Sequence, residues 1–275
     1  MGSYSPKGFA LITSYFVSVN EERNEEILLS LERNLLNPLI EQVLLLIETD
    51  GSPELEFSKF NNNSTKIQFV LLGKRPTFQD FIKQANSAIH NGFISIIANS
   101  DIYFNDTLTL VHQHIGRSIF ALSRWDLMAD GSIVFYNNFK SQDAWISAKP
   151  IDGDIGNYYQ GIPGCDNRFA FELKNKGFRL LNPSLSIQAI HLHNTNLRNY
   201  NKSNDKVLGL YYFPLPTALG KIGDAQTKRI YLLMRRKYYS SIVTKTLEGV
   251  KHNKIDRLLS KLLEVYFKLR LKING

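Results

Sequence analysis

The run F-I-S-I-I-A-N-S-D-I-Y-F, from Phe93 to Phe104, decides how the chain is organised. Phe93 to Ala98 is an apolar, largely β-branched stretch of strand length, and it empties into Asn99, Ser100 and Asp101. Side chains alternate along an extended segment, so Asn99 and Asp101 share one side and Ser100 takes the other. Two oxygen-bearing side chains so spaced suit a hard divalent cation already held by a diphosphate. Such a cation offsets charge on a departing nucleoside diphosphate. The same tripeptide equally suits a strand-end turn closed by Asx hydrogen bonds.

Working outward, strand-like and helix-like segments alternate. Phe9 to Val17 is an apolar run; Glu21 to Leu36 follows with Ile27, Leu28, Leu31, Leu35 and Leu36 at helical spacing, and Pro38 stops it. Gln42 to Ile47 and Lys66 to Leu72 predict two more strands. Phe78 to Ile89 predicts a helix, with Thr77 as its cap and Asp80 three residues on. Beyond the opening run come a short helix, Thr107 to His114, and a fifth strand, Ser118 to Leu122. This alternation predicts an α/β fold with a mostly parallel central sheet and helices on both faces. Ligands of such sheets bind beyond the carboxyl ends of the strands. A ligand is therefore expected near Ser14, Tyr15, Glu48 and Arg75, although Lys74-Arg75 also reads as a solvated turn.

Four later segments carry chemistry-bearing residues. A-L-S-R-W-D (Ala121 to Asp126) sets Arg124 beside Trp125. S-Q-D-A-W (Ser141 to Trp145) offers Asp143 for sugar hydroxyls and Trp145 as an apolar platform, or a turn whose Trp enters the core. In G-C-D-N-R, Asp166 and Asn167 fall near the start of a helix expected from Phe169 to Lys176, where plain capping is the simpler role; Cys165 reads as structural. After Asn182-Pro183-Ser184 a strand is expected at Leu185 to Ile190, then His191-Leu192-His193, alternate imidazoles that are either metal ligands or ordinary strand residues. Arg198 and Tyr200 follow, and an Arg there suits forked phosphate contacts.

Taken in order, N-S-D, A-L-S-R-W-D, S-Q-D-A-W, G-C-D-N-R and H-L-H over residues 8 to 200 resemble the GT-A glycosyltransferases, especially small bacterial and viral enzymes of polysaccharide synthesis. The resemblance implies a Rossmann-like GT-A domain and transfer of a sugar from a nucleoside diphosphate sugar to a glycan hydroxyl, in the manner of polysaccharide, O-antigen or capsule synthesis. It implies Mn2+ or Mg2+ held by Asp101, with Asn99 and Ser100 completing the D-x-D-type motif, and a late histidine, His193 or His191, completing the metal site. Asp166 matches the carboxylate that deprotonates the acceptor in inverting enzymes, with Asp143 as the competing base. Asn99 departs from the family pattern, since an amide stands where a carboxylate is usual. An alternative from another class is a nucleotide-sugar- or glycan-binding scaffold without catalysis, which Asn99 favours.

The chain has 275 residues and a formal charge of +8, and that charge is unevenly placed. Residues 206–275 hold 15 Lys and Arg against 4 Asp and Glu, leaving 18 against 21 in residues 1–205. A division follows: a catalytic domain at 1–205 and a basic helical extension at 206–275. In the extension Ile255, Leu258, Leu259, Leu262, Leu263, Tyr266 and Leu269 form an apolar stripe flanked by Lys254, Arg257, Lys261, Lys268 and Arg270. Such a helix packs on the domain, makes an oligomer contact, or lies on an anionic membrane surface; the resemblance implies a lipid-linked acceptor, which the last would suit. Nucleic acid is not expected as a partner, because no recognition motif accompanies the basic residues. Glycine-rich dinucleotide and P-loop motifs and the G-x-S-x-G elbow are missing, which argues against those enzyme classes. One cysteine, no leader-like N-terminus and no apolar run of about 18 residues lead to an expectation of a cytoplasmic protein, with the inner membrane face as a peripheral site.

Overall fold

The computed structural model describes residues 6–48, 64–136, 138, 140–192 and 206–219. His193, Arg198, Tyr200 and the stripe from Ile255 to Leu269 lie outside the described residues. In chain order the elements are β1 (Phe9–Tyr15), α1 (Glu21–Leu36), β2 (Ile40–Ile47), β3 (Ile67–Leu71), α2 (Phe78–His90), β4 (Ile94–Ala98), β5 (Ile102–Phe104) and α3 (Thr109–His114). Then come β6 (Ser118–Leu122), β7 (Arg124–Leu127), β8 (Ile133–Phe135), β9 (Ala144–Ser147), α4 (Cys165–Asn175), β10 (Arg179–Leu181) and β11 (Ala189–Leu192).

A seven-stranded sheet in the order β10-β6-β9-β4-β1-β2-β3 forms the centre. Its strands run parallel except β9, which is antiparallel to both β4 and β6. Side-chain alternation divides the core into two layers. Phe9, Leu11 and Tyr15 of β1 pack with Ile27, Leu31 and Leu35 of α1, whereas Ala10 and Ile12 face Phe78, Phe81 and Ile82 of α2 and Phe169 and Leu173 of α4. Each such large side chain stabilises the fold by about 1.5–3 kcal/mol on burial. α1 starts where the Asn20 side chain accepts from the Arg23 backbone N–H, and α2 starts with a full capping box between Thr77 and Asp80.

A second sheet, β5-β11-β7-β8, was not foreseen from the sequence. The chain passes from the first sheet to the second at Ser123, between β6 and β7. Its backbone N–H donates to Ser184 Oγ (2.7 Å) and Asn182 Oδ1 (3.3 Å), and its hydroxyl donates to the Ser141 carbonyl (3.0 Å). All four positions are therefore pinned around one corner.

Several boundaries differ from expectation. The strand expected at Leu185 to Ile190 begins only at Ala189, because Ser186 and Ile187 turn back onto the Pro183 carbonyl. α4 begins at Cys165, ahead of the expected Phe169, so Asp166 is a helical residue of the first turn and not its cap. The described residues beyond 205 pack on the main body. Val207, Tyr212 and Thr217 donate backbone hydrogen bonds to Pro163, Asn167 and Asn182, and Phe213 and Leu215 are buried.

Candidate functional site

Because β9 runs against its neighbours, its first end lies beside the last residues of β4 and β6. Asp143 immediately precedes β9 and is wedged there. Its backbone N–H donates to the Leu122 carbonyl (2.8 Å), and its own carbonyl accepts from the Asn99 N–H (3.1 Å). Asn99 Nδ2 also donates to Asp143 Oδ1 (3.0 Å). N-S-D and S-Q-D thus meet at one end of the sheet.

A chain of charges runs from this edge into the second sheet. The register of β11 sets His191 opposite Ile102 of β5 and opposite Asp126 of β7. His191 Nε2 lies 3.1 Å from Asp101 Oδ2, and Nδ1 lies 3.3 Å from Asp126 Oδ1. Arg23 Nη2 is 2.6 Å from the same Asp101 Oδ2, while its Nη1 is 2.9 Å from Glu26. Arg124 joins Asp126 (2.9 Å) to Asp143 (3.6 Å) and stacks over the Tyr136 ring. Among the described residues, Asp101 Oδ1 is buried and has no hydrogen-bond partner. Burial alone would raise the Asp101 pKa, but His191 and Arg23 outweigh it and hold the carboxyl well below the usual range. Burial would lower His191; Asp101 and then Asp126 overcome it and raise the imidazole to about 9. Asp101 and Asp126 thus favour the charged form of the His191 imidazole. No group of three or more His, Cys, Asp or Glu stands in metal-binding arrangement among the described residues.

The G-C-D-N segment closes the site from the other side. Gly164 precedes α4 at φ +84°, and a Cβ there would come within 2.8 Å of Tyr211 Oη and 3.1 Å of the Val207 carbonyl, so glycine is required. Asn167 Nδ2 donates to Gln142 Oε1 (3.3 Å), which fastens α4 to the loop carrying Asp143. Asp166 is half-buried. Burial, then the neighbouring Asp143 carboxylate, push it up to about 8 against the Cys165 thiol and the Gln142 backbone N–H. Asp143, 3% exposed, is likewise raised by burial, with Arg124 opposing. The Cys165 Sγ donates to Asp166 Oδ1 (3.3 Å), and burial pushes the thiol pKa well up, consistent with a structural cysteine.

At the ends of β1, β2 and β3, Ser14, Glu48 and Arg75 come together. The Ser14 side chain hydrogen-bonds Glu48, whose pKa burial raises and Arg75 opposes. Arg75 donates to the Gln160 carbonyl (2.6 Å) and lies over the half-exposed Tyr159 ring. Tyr15 is a correction: it is 2% exposed and belongs to the core on the α1 side. Trp145 is a second correction. It sits on β9 between two inner strands, 2% exposed, edge-on to Phe169 (4.8 Å) and Phe78 (6.5 Å), with no open face for a sugar. Trp125 likewise packs on Phe135 and donates from Nε1 to the Ser184 carbonyl.

The sequence reading missed Arg23, Glu26 and Asp126. A signal existed for the first two: Arg23, Glu26, Ser30 and Asn34 recur at three and four residues, a polar seam beside the apolar stripe of α1. Asn34 makes both halves of a backbone-like pair with β5, donating to the Ile102 carbonyl (2.8 Å) and accepting from the Phe104 N–H (3.1 Å).

No family model and no curated protein matches the chain. Among solved structures it is similar to the mannosyltransferase PcManGT from Pyrobaculum calidifontis in complex with GDP-Man and Mn2+, at 15% identity and a TM-score of 0.47, over 72% of this chain and 59% of that one. It is also similar to S. aureus TarS 1–349 in complex with UDP-GlcNAc, at 14% identity and a TM-score of 0.38, over 73% of this chain and 62% of that one. S. aureus TarS matches at 16% identity and a TM-score of 0.39, over 82% of this chain and 39% of that one. The chain spans less than two thirds of the length of each of these structures. No helix among the described residues is long and apolar enough to cross a membrane.

Proposed function

We propose that the protein is a glycosyltransferase of GT-A type that moves a sugar from a nucleoside diphosphate sugar to a hydroxyl of a glycan acceptor, with inversion. The observation that carries this reading is the pairing of Asn99 with Asp143 and of Asp101 with His191, which draws motifs 44 and 90 residues apart to one end of a parallel sheet. Ligands bind at that end of such sheets. Ser14, Glu48 and Arg75 meet the nucleoside, and Asp101 meets the diphosphate. Arg198, Tyr200 and His193 belong to the same proposal as contacts of the diphosphate and its cation.

Asp166 serves as the base. Its carboxylate takes the proton of the acceptor hydroxyl as that oxygen attacks the anomeric carbon and the bond to the diphosphate breaks. A pKa near 8 gives it proton affinity suited to this task. Asp143 is instead bound to Asn99 and Arg124, so its role is to organise them and to keep Asp166 basic. Mn2+ or Mg2+ belongs to the same proposal, and Asp101 Oδ1, buried and without a hydrogen-bond partner among the described residues, is the oxygen that would meet it. A cation held there with the diphosphate oxygens would offset charge on the leaving group. His191 steadies Asp101. The acceptor is a polysaccharide, O-antigen or capsule glycan, lipid-linked where the basic residues beyond 205 meet the inner membrane face.

The test is donor hydrolysis and transfer by the full chain across UDP-, GDP- and TDP-sugars, with and without Mn2+. The reading expects one nucleotide class to be used and Asp166→Asn to lose transfer while still binding it. Donor binding without hydrolysis or transfer by the unaltered protein would make the chain a binding module instead.

A further inference from the structure

Resting on the reading of this sheet end as a glycosyl-transfer site, we propose that the Tyr136 ring, extended by Val134, is the platform on which a pyranose ring of the acceptor glycan stacks. Two aromatic side chains are exposed among the described residues, Tyr136 at 36% and Tyr159 at 47%. Tyr159 lies with Arg75 at the ends of β1 to β3, where the donor nucleoside is placed. Tyr136 lies against Arg124, in the second sheet.

Register decides which way Tyr136 and Val134 face. Directly opposed residues of an antiparallel pair share a face, and the faces alternate along each strand. Trp125 opposes Phe135, and their rings pack together on one face (5.2 Å). Val134 opposes Asp126, and the Tyr136 N–H donates to the Arg124 carbonyl. Both therefore belong to the opposite face, with Arg124, Asp126 and His191. That face carries the charges of the site, yet Val134 is 52% exposed upon it. An apolar ledge thus borders a charged cluster. Such a ledge fits a sugar, whose C–H face seeks a flat apolar surface while its hydroxyls seek polar groups.

Arg124 ties the ledge to the base. Its guanidinium lies 4.4 Å from the Tyr136 ring centroid and 3.6 Å from Asp143, the carboxylate that acts on Asp166. A pyranose on this ring is therefore separated from the two carboxylates by a single side chain. The backbone bond and the guanidinium hold the ring in advance, so a sugar meets it at little ordering cost.

The experiment is saturation-transfer NMR of the full chain, with saturating UDP or GDP, against methyl α- and β-pyranosides of glucose, galactose, mannose and N-acetylglucosamine. At least one glycoside should receive saturation at its ring C–H protons. Tyr136→Leu keeps apolar cover over Arg124 but removes the flat ring, and should weaken that glycoside by about five-fold or more. Tyr136→Phe and Tyr136→Trp should stay within about two-fold of the parent. Should Tyr136→Leu not fold, Val134→Ser, at an exposed side chain, should weaken the glycoside by about three-fold. Nucleotide binding lost in step with the glycoside would make Tyr136 a shield for Arg124 and overturn the inference. A folded Tyr136→Leu that binds like the parent, displacement of the glycoside by the nucleotide sugar carrying the same sugar, or no glycoside bound at all would overturn it too. Each of these leaves the transferase reading to donor hydrolysis and transfer. Glycoside binding that depends on Tyr136, without turnover of any donor, would keep the platform and remove the transferase.

Discussion

Asn99 and Asp143 are joined twice, by a backbone bond of 3.1 Å and by a side-chain bond of 3.0 Å from Asn99 Nδ2 to Asp143 Oδ1. This accounts for the amide in a place where the resembled family carries a carboxylate. An amide donates to the buried Asp143, whereas a second carboxylate would sit at 3.0 Å from it as a like charge. Asn99→Asp should therefore destabilise the protein by about 2–4 kcal/mol at pH 8, with less loss at pH 5, because lower pH favours a proton on one member of the pair. Thermal unfolding at the two pH values measures this, and an equal loss at both would show that charge is not the cause.

Asp166 sets the pH response. Its folded pKa, about 8, lies above the ordinary carboxylate value because of burial and then Asp143. The protonated form is thus favoured by the fold: that stabilisation is fully present below the ordinary value and is lost as pH rises through 8. Asp166→Asn should gain stability relative to the parent between pH 5 and pH 8.5. For transfer the ionised form is needed, so kcat/KM of the ligand-free enzyme should climb about ten-fold per pH unit below 8 and level above it. A profile flat from pH 6 to 9 would exclude Asp166 as the base.

The local elements were legible from sequence and the site only in part. α1 and β6 fall where apolar spacing put them, because Ile27, Leu31 and Leu35 need only a helix to share a face. The capping box of α2 is similarly local. Sites assembled by distant pairing were not visible. The antiparallel entry of β9 brings Asp143 beside Asn99, and the sheet change at Ser123 brings Asp126 to His191. Neither leaves a periodic trace in the chain. Arg23 was overlooked because a charged residue in the first turn of a helix ordinarily reads as solvated, whereas here its partner arrives from 78 residues away.

Trp145 tests the boundary between core and site. It packs edge-on against Phe169 and Phe78, and its Nε1 is buried without a hydrogen-bond partner among the described residues. Trp145→Phe removes that unmet donor along with some volume, and should cost less than about 2 kcal/mol. Trp145→Ala leaves a cavity between β9 and the two helices and should cost about 3–5 kcal/mol in denaturant unfolding. Donor KM for the phenylalanine variant should match the parent within two-fold, on the order of experimental error. A large KM rise with intact stability would return Trp145 to the sugar site.

Gly164 links backbone geometry to the base. Its φ of +84° turns the chain into α4 one residue before Cys165, and the space a Cβ would need is taken by Tyr211 Oη at 2.8 Å and the Val207 carbonyl at 3.1 Å. Gly164→Ala adds about 1–2 kcal/mol of left-handed backbone strain to that crowding. The easiest relief is movement of residues 207–211 or of the first turn of α4, which carries Asp166. Unfolding should show a loss of about 2–4 kcal/mol. Transfer should fall in kcat with donor KM preserved, because Ser14, Glu48 and Arg75 stand at other strand ends. A variant that loses stability while keeping kcat would mean that α4 holds Asp166 in place independently of its entry turn.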